Sequence, residues 1–412
     1  MVNRAIRYGI QNNITSKFGL CRQLYAAFRR DHPIYAKHIV SSFEIAASIL
    51  KNFRRRVRRG LQTRTPFVRR LFLKTESQAF RLDRRTGSLS LPIRAREHIE
   101  LVLPLSAYHR RFLDDDELSV GSLTVLTDRV ILILRKERPA AYTPAGVIAL
   151  DTNESSLDGV YAEGNNIAFI RAPFPEVRRI QQTHFRRRRA LDKRKSNDLR
   201  TRNRLVRREA RRERQRVRQR LHRIANAVVD LAEQRRSAIV LEDLAIPAMS
   251  GPSRRMNRRL GSWPRSEIQR QIEYKAQWRG VPVVKVNPKN TSRKCPICGW
   301  RQQSRTRASK SDGLFECWDC GWSLNRQLNA GLNILKTALA SEEVLARAVW
   351  FQPGALRHDA VIPLYSLEGG ARQEPNAGSL VACAAIRMTE TEPNPIVRRP
   401  SRGRARAERE RA

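Results

Sequence analysis

The sequence has no long apolar run and nothing that resembles a leader peptide. No stretch approaches the roughly 18 consecutive apolar residues of a membrane span, and residues 1–7 lack the apolar core of a signal peptide. These two absences predict a soluble, intracellular protein with no membrane partner.

Acidic residues are also scarce. The 412 residues include 39 Asp and Glu against 81 Lys and Arg, which leaves a net charge of +42. Such an excess is far more than solubility requires, and it is self-repulsive unless a polyanion neutralises it. A nucleic acid is therefore the expected partner. The 41% hydrophobic content excludes a wholly disordered basic protein and is enough for the cores of two or three domains.

Cysteine is rare, and four of the six cysteines form two Cys-x-x-Cys pairs. The pairs Cys295/Cys298 and Cys317/Cys320 are separated by 18 residues, whereas Cys21 and Cys383 stand alone. Paired spacing in an intracellular chain favours metal ligation over disulfides. Four thiolates make a closed tetrahedral Zn²⁺ site, so we expect a zinc ribbon with a structural ion. A redox dithiol is a poor alternative because neither pair begins a helix of a βαβ unit.

Hydrophobic periodicity divides the chain into segments. Helical spacing holds up to Gly60, and from about residue 71 a period of two predicts a small antiparallel β domain. A linker is predicted at residues 139–144. Beyond it we expect further strands, a loop over residues 247–261, a helix over residues 263–279 and a final helix over residues 328–339. Little periodicity remains after Ser341, where we expect disorder.

One segment carries a large share of the charge. Between residues 186 and 223, 19 of 38 residues are Lys or Arg and only four are acidic. A solvated surface helix is the ordinary interpretation of a charge run. Here intrahelical pairs cannot neutralise so many cations, so we interpret the segment as a helix that follows a phosphate backbone.

Two carboxylates end apolar strands. Asp151 follows residues 147–150, and Glu242 follows residues 238–241. Two acids on adjacent strands can hold Mg²⁺, which activates water in phosphodiester cleavage. Each acid also has a structural explanation, because residues 151–153 could form an Asx turn and Glu242 with Asp243 could cap a helix.

Seven motifs follow one another between residues 147 and 336. They are IALDTN at 148–153, IVLEDL at 239–244, Trp263 with EYKA at 273–276, VNP at 286–288 with Thr291 and Ser292, CPICG at 295–299, Cys317 with Cys320 and Gly321, and NAGLNIL at 329–335. Through these motifs the chain resembles the TnpB family in an archaeal-like version. These are transposon-encoded, RNA-guided DNA nucleases related to the type V single-effector CRISPR nucleases. Upstream, FGLCR at 18–22 resembles the family's early helix more loosely.

The resemblance implies a multidomain fold of α+β and α/β parts. Residues 1–70 would be a helical recognition region, before the wedge or inserted in it, and residues 71–138 a β-barrel wedge domain. Residues 145–290 would be a RuvC-like, RNase H-type domain with a long basic helix over 177–234. A zinc ribbon (291–323), a last RuvC helix (324–340) and a disordered tail (341–412) would complete the chain.

The resemblance also implies partners and site residues. The partners would be a guide RNA from the same locus and a target DNA, in a prokaryotic cytoplasm and at the nucleoid when DNA is bound. Asp151 and Glu242 would be the first two catalytic acids. The expected nucleic-acid contacts are Arg186, Arg187, Arg188, Arg189, Arg194, Arg207, Arg208, Arg211, Arg212, Lys275, Lys289 and Arg293.

The third acidic motif departs from the family pattern. The family has Asp-x-Asp-x-Asn-Ala-Ala, whereas this chain has Asn325 and Gln327 at the two acidic positions. An amide oxygen brings no negative charge to a cation, so Mg²⁺ would bind only in a nuclease-active version of the site. The chain is then a nuclease-impaired RNA-guided binder, an active nuclease with a relocated acid, or a decaying transposon remnant. Asp312, Glu316 and Asp319 are the candidates for a relocated acid. A transcription factor that binds duplex DNA alone is disfavoured, because no helix-turn-helix signature is present.

Overall fold

The computed structural model describes residues 1–61, 63–244, 253–302, 313–351, 363–366 and 382–384. The chain forms two compact units, residues 1–137 and 138–412. The boundary falls just before the linker predicted at residues 139–144. Within the described part of the chain, no helix is both long and apolar enough to cross a bilayer.

The first unit begins with three helices that share an apolar core. They are α1 (Val2–Gln11), α2 (Lys17–Asp31) and α3 (Ala36–Arg58). Phe28 and Phe43 stack at its centre with ring centroids 5.1 Å apart. Gly60, at φ 68°, lies just beyond the end of α3 in the left-handed conformation that favours glycine.

The rest of the first unit is β structure, as the period of two predicts. Its elements are β1 (Phe72–Thr75), β2 (Arg81–Leu82), β3 (Ser88–Arg94), β4 (Glu97–Val102), α4 (Ala107–Leu113), β5 (Ser119–Leu126) and β6 (Val130–Arg135). The strands form two antiparallel sheets of three, β1-β5-β6 and β2-β3-β4. Leu89, Leu91 and Leu123 lie in one apolar cluster, so the two sheets share a core.

The second unit is built on one mixed sheet. In chain order its elements are β7 (Gly146–Thr152), β8 (Ser156–Glu163), β9 (Asn166–Pro173), α5 (Pro175–Arg194), α6 (Leu199–Gln234), β10 (Ser237–Glu242), α7 (Arg254–Ser262), α8 (Arg265–Arg279), β11 (Val283–Val286), β12 (Leu314–Glu316), β13 (Ser323–Asn325), α9 (Arg326–Ser341), α10 (Glu343–Ala348), β14 (Pro363–Ser366) and β15 (Ala382–Ala384). The sheet order is β11-β10-β7-β8-β9-β14-β15. The strands β7, β8 and β9 form an antiparallel meander, and β10 runs parallel to both β7 and β11.

Strand β7 is buried on both faces, and alternate residues therefore belong to different cores. Ile148 and Leu150 pack with α6 and α8 on one side of the sheet. Val147 and Ala149 pack with α9 and the cysteine segment on the other side. This alternation decides which way a side chain at the end of the strand points.

The single basic helix expected over residues 177–234 is wrong. The chain instead forms a hairpin of two helices, α5 and α6, that pack against each other. The break has a local cause, because the Asp198 carboxylate accepts the Thr201 N–H at 2.9 Å and caps α6. The charge is thus divided between two helices that face each other.

Two further predictions need correction. Residues 254–261, expected within a loop, belong to α7, and residues 247–252 of the same predicted loop lie outside the described residues. The tail is not disordered from Ser341 onward, because α10 follows and buries Leu345, and Val349 beyond it is buried as well. The strands β14 and β15 extend the sheet beyond β9. Residues 352–362, 367–381 and 385–412 of the tail lie outside the described part.

Candidate functional site

The four paired cysteines converge on one point. Their Sγ atoms all lie within 4.8 Å of one another, with 3.6 Å between Cys295 and Cys320 and 3.4 Å between Cys298 and Cys317. A tetrahedron of thiolates around Zn²⁺ at about 2.3 Å has sulfur atoms about 3.8 Å apart. Burial raises the pKa of the Cys295 thiol, so the cluster gains from a cation that holds thiolates. The donor set fits a structural zinc ion.

The cysteine segment is anchored to α9 by two asparagines. Asn329 Nδ2 donates to the Lys294 carbonyl at 3.0 Å, and its Oδ1 accepts the indole N–H of Trp322 at 3.2 Å. Asn333 Nδ2 donates to the carbonyls of Thr291 and Lys294 at 2.8 and 2.7 Å. Both asparagines are buried, so the segment is held to the helix by specific polar bonds.

Asp151 and Glu242 lie side by side at the carboxyl ends of two parallel strands. Leu150 of β7 pairs with Leu241 of β10, and the two acids come next. Both acids continue the side-chain alternation of the face that packs against α9. The sheet therefore brings the two acids predicted from the sequence to one edge.

The environment of the two acids favours a shared proton. Burial, and then the neighbouring Glu242 carboxylate, raise the pKa of Asp151 well above its ordinary value. Burial also raises the pKa of Glu242, against hydrogen bonds from Thr291 and Asp151 that lower it. Thr291 Oγ1 donates to Glu242 Oε1 at 2.6 Å. Two such carboxyl groups can exchange their proton for a divalent cation.

Gln327, which stands where the third catalytic acid is expected, lies on α9. Asn325 Oδ1 accepts the N–H of Gln327 at 3.0 Å, so Asn325 caps the helix. Gly331, four residues after Gln327, lies against β8. A Cβ added to Gly331 would come within 2.6 Å of the Gly159 Cα. Gln327 is one turn earlier on the same face of the helix.

The direction of α9 decides where that turn lies. The helix runs along β8 towards α10, where Gly164 N donates to the Ala348 carbonyl at 3.1 Å. Its first turn is therefore at the opposite end of β8, beside Asp158 and the paired Asp151. The first turn of α9, which carries Gln327, is thus directed towards the end of the sheet that holds the acids.

Sequence reasoning missed a further acid, Asp158. This residue lies opposite Asp151 in the β7–β8 pair, is fully buried and accepts the Arg171 Nε–H at 2.7 Å. It occupies the same side-chain parity as Val160 and Ala162, which face the α9 core. The sequence did contain a signal for this residue, because Asp158 stands at a position where the alternation of the strand predicts an apolar side chain.

Two of the three candidates for a relocated acid do not join this edge. Glu316 lies on β12 and Asp319 lies between the ligating cysteines, and both are exposed. Asp312 lies outside the described residues. Within the described residues, the four cysteines are the only group of three or more His, Cys, Asp or Glu side chains placed to share one ion.

Most of the predicted nucleic-acid contacts are exposed on α5 and α6. They are Arg186, Arg187, Arg189, Arg194, Arg207, Arg208, Arg211 and Arg212. Arg188 instead pairs with Glu213 and links the two helices. Lys275 Nζ donates to Asn226 Oδ1 at 2.5 Å and joins α8 to α6. Lys289 is exposed and Arg293 half-buried near the cysteine segment.

Known proteins resemble the chain over both halves. The family model described as "Cas12f1-like, TNB domain" matches residues 266–334, and the "Uncharacterized protein MJ0013 family" matches residues 1–90. The "TnpB-like protein MJ0751" of Methanocaldococcus jannaschii is 28% identical over 58% of this chain and 87% of its own length. The "CRISPR-associated endodeoxyribonuclease Cas12f1" of Sulfoacidibacillus thermotolerans is 33% identical, over 27% of this chain and 25% of its own.

A solved structure shares the fold. The cryo-EM structure of a Cas12f1-sgRNA-target DNA complex aligns with a TM-score of 0.52 at 15% identity, over 81% of this chain and 79% of that one. The fold is thus mixed α/β and Cas12f-like, with a four-cysteine cluster suited to the zinc of a ribbon. The chain is thus similar to TnpB-like proteins and to Cas12f, and its residues 266–334 match the TNB domain.

Proposed function

We propose that this protein binds a guide RNA from its own locus and a matching DNA target, and that its nuclease activity is weakened or lost. The observation that carries this proposal is the amide of Gln327 at the third acidic position, in the first turn of the helix whose Gly331 packs on Gly159 of β8. In the family that position supplies the third carboxylate. An amide there removes one negative charge from the cation site.

The limited negative charge at the sheet edge that holds Asp151 and Glu242, here called the acidic edge, supports weakened catalysis. Asp151 and Glu242 would hold Mg²⁺, which when bound activates water and stabilises the leaving oxygen. Burial already disfavours full ionisation of the pair, as the raised pKa values of both acids show. With Gln327 as a neutral neighbour, the pair offers at most two charges. Thr291 would keep the Glu242 carboxylate oriented in either state.

The domain roles follow from the same family assignment. We propose recognition of nucleic acid by residues 1–70, a wedge domain at residues 71–138 and a RuvC-like domain formed by residues 145–290 with 324–340. The zinc ribbon, residues 291–323, would support this domain through Asn329 and Asn333. The exposed arginines of α5 and α6 and the net charge of +42 support a long polyanionic partner.

Copurification and cleavage together test the proposal. The protein purified from its own host should carry a discrete RNA from its locus, and recovery of random fragments alone would overturn the guided part. With that RNA, Mg²⁺ and a matched DNA target, we expect binding without strand cleavage. Cleavage that Asp151→Ala abolishes would overturn the claim of impaired catalysis.

An active nuclease is the second candidate, and Asp158 is the observation that favours it. Asp158 lies opposite Asp151 and adds to the rise of the Asp151 pKa, so its charge acts at the acidic edge. Its bond to Arg171 neutralises much of that charge in the absence of a cation. If the protein cuts, Asp158→Asn should abolish cutting as completely as Asp151→Asn does. Full cutting by Asp158→Asn would exclude Asp158 as the third acid.

A further inference from the structure

A second polar site lies between α5 and α6, away from the acidic edge. It is an open cavity of about 610 Å³ with a strongly cationic wall. The side chains that line it are His184, Arg187, Arg212, Gln215, Arg216 and Gln219. Of these, His184 is buried, with a side chain only 1% exposed.

One ring nitrogen of His184 has a hydrogen-bond partner, and the other has none among the described residues. Its Nδ1 lies 2.8 Å from Glu209 Oε1, and a carboxylate can only accept, so Nδ1 carries the proton. Arg187 and Arg212 approach the same carboxylate at 3.5 and 3.8 Å. Among the described residues, the buried Nε2 has no hydrogen-bond partner. In the neutral imidazole this Nε2 is an acceptor in need of a donor.

The pair is not a by-product of an apolar core. In α6, Glu209 is the only buried residue before Val217, and the apolar contacts with the sheet begin there. In this outer half of the hairpin, polar pairs hold the helices together, namely His184–Glu209, Arg188–Glu213 and Arg202–Asp192. A buried acceptor without a partner costs stability unless a ligand supplies the missing donor.

The lining has the chemistry of a nucleotide site. Three arginines match a phosphate group. The amides of Gln215 and Gln219 can each donate and accept, as the edge of a base requires. The 2′-hydroxyl of a ribose can donate to Nε2 whatever the base is, whereas deoxyribose lacks the 2′-hydroxyl.

We propose that this cavity binds one nucleotide of single-stranded RNA, with its phosphate on Arg187, Arg212 and Arg216 and its 2′-hydroxyl donating to His184 Nε2. Because Nε2 is buried, side chains that line the cavity must shift when the nucleotide enters; those of Arg187 and Arg212 are about half exposed. The inference rests on the RNA binding proposed above and is independent of cleavage.

Two neighbouring arginines provide a matched test. Arg216 lines the cavity, whereas Arg214, two residues away on the same helix, is exposed and does not line it. The probe is a mixed-sequence RNA of about 20 nucleotides, with the DNA of the same sequence for comparison, titrated against the full-length protein by fluorescence anisotropy. We expect Arg216→Gln to weaken RNA binding about tenfold, and Arg214→Gln to weaken it much less. Equal losses would overturn the proposal, and no RNA binding by the unmodified protein would overturn the proposed function instead.

The role of His184 has a separate readout. His184→Phe should reduce the preference for RNA over DNA by about fivefold, and a circular dichroism spectrum identical to the parent protein's excludes misfolding as the cause. In the parent protein, the ¹⁵N resonance of His184 Nε2 should shift when RNA is added and stay unchanged when DNA is added. A resonance that neither nucleic acid moves would show that the pair only joins α5 to α6, and would overturn the proposal.

Discussion

Asp158 of β8 lies directly opposite Asp151 of β7, and both side chains face the helix that carries Gln327. Asp158 is fully buried and is held by Arg171, Asn153 and Ser156. Asp151 has a second acid, Glu242, on its other side. Three acids thus share one sheet edge with a single arginine among them, and this crowding governs how the edge responds to pH and to cations.

The first prediction concerns stability and pH. The folded protein retains a proton on Asp151 that the unfolded chain releases above its ordinary pKa of 3.8. The contribution of Asp151 to stability is therefore greatest at low pH and is lost as the pH rises through the raised pKa of the folded state. We expect Asp151→Asn, without added divalent cations, to be more stable than the parent protein at pH 8 by more than about 1 kcal/mol, the value of one pKa unit.

Chemical denaturation at pH 5 and pH 8 measures this difference. The gain should shrink at pH 5, because protonation of Asp151 at lower pH relieves the cost of its buried charge. Asp116→Asn, which changes an exposed carboxyl group in the first unit, is the control and should have little effect at either pH. A variant that is less stable than the parent protein at pH 8 would contradict the assignment of the proton.

The second prediction concerns the third motif. Gln327→Asp restores a carboxylate at the first turn of α9, beside Asp151 and Glu242, and should raise Mg²⁺-dependent cleavage of a matched target at least tenfold. Asn325→Asp alone should not, because the Asn325 side chain caps the helix. Strand cleavage is measured with the copurified RNA. An unchanged rate for Gln327→Asp with intact target binding would mean that the missing carboxylate does not limit the reaction.

The third prediction concerns zinc. The purified protein should hold one zinc ion per chain, and Cys295→Ser should remove it, because three thiolates bind the ion far more weakly. Cys21→Ser should retain the metal, since Cys21 lies on α2 in the first unit. Atomic absorption measures the content. Full zinc in Cys295→Ser would contradict the four-cysteine site.

Loss of zinc should reach the acidic edge. The backbone carbonyls of Thr291 and Lys294 bind Asn333, and the Thr291 hydroxyl binds Glu242. Chelation should therefore lower the melting temperature of the second unit and weaken any Mg²⁺ binding there. Thr291→Val should weaken Mg²⁺ binding while leaving zinc bound, which separates the two effects.

The fourth prediction concerns the contact between α9 and the sheet. Gly331→Ala places a Cβ 2.6 Å from the Gly159 Cα, so the helix must move away from β8. We expect a loss of about 1–3 kcal/mol in the free energy of unfolding. Gly261→Ala is the matched control, because its Cβ meets nothing within 4 Å and alanine favours the helix. Urea denaturation should show opposite signs for the two substitutions.

Sequence patterns predicted those features that depend on nearby residues. The Cys-x-x-Cys pairs form turns that aim two sulfur atoms at one ion, and the strands that end at Asp151 and Glu242 have continuous apolar runs. The prediction of one long basic helix was wrong. The residues before and after Asp198 both have high helix propensity, so the sequence pattern did not reveal the helix cap at Asp198. The prediction of disorder from Ser341 onward was wrong as well. Leu345 and Val349 are too few to make a periodic pattern, and they are buried only because they pack against the core of the second unit.

The sequence by itself determined the four-cysteine cluster, the two acidic strand ends and the excess of positive charge, because each is carried by short-range spacing or by composition. Only the tertiary structure decided which acids meet and which cations line a cavity. Asp158 reaches Asp151 through strand pairing, and His184 reaches Glu209, 25 residues away, through the packing of two helices. Such contacts depend on how separate elements are placed in space, and the pattern within any one element does not contain that information.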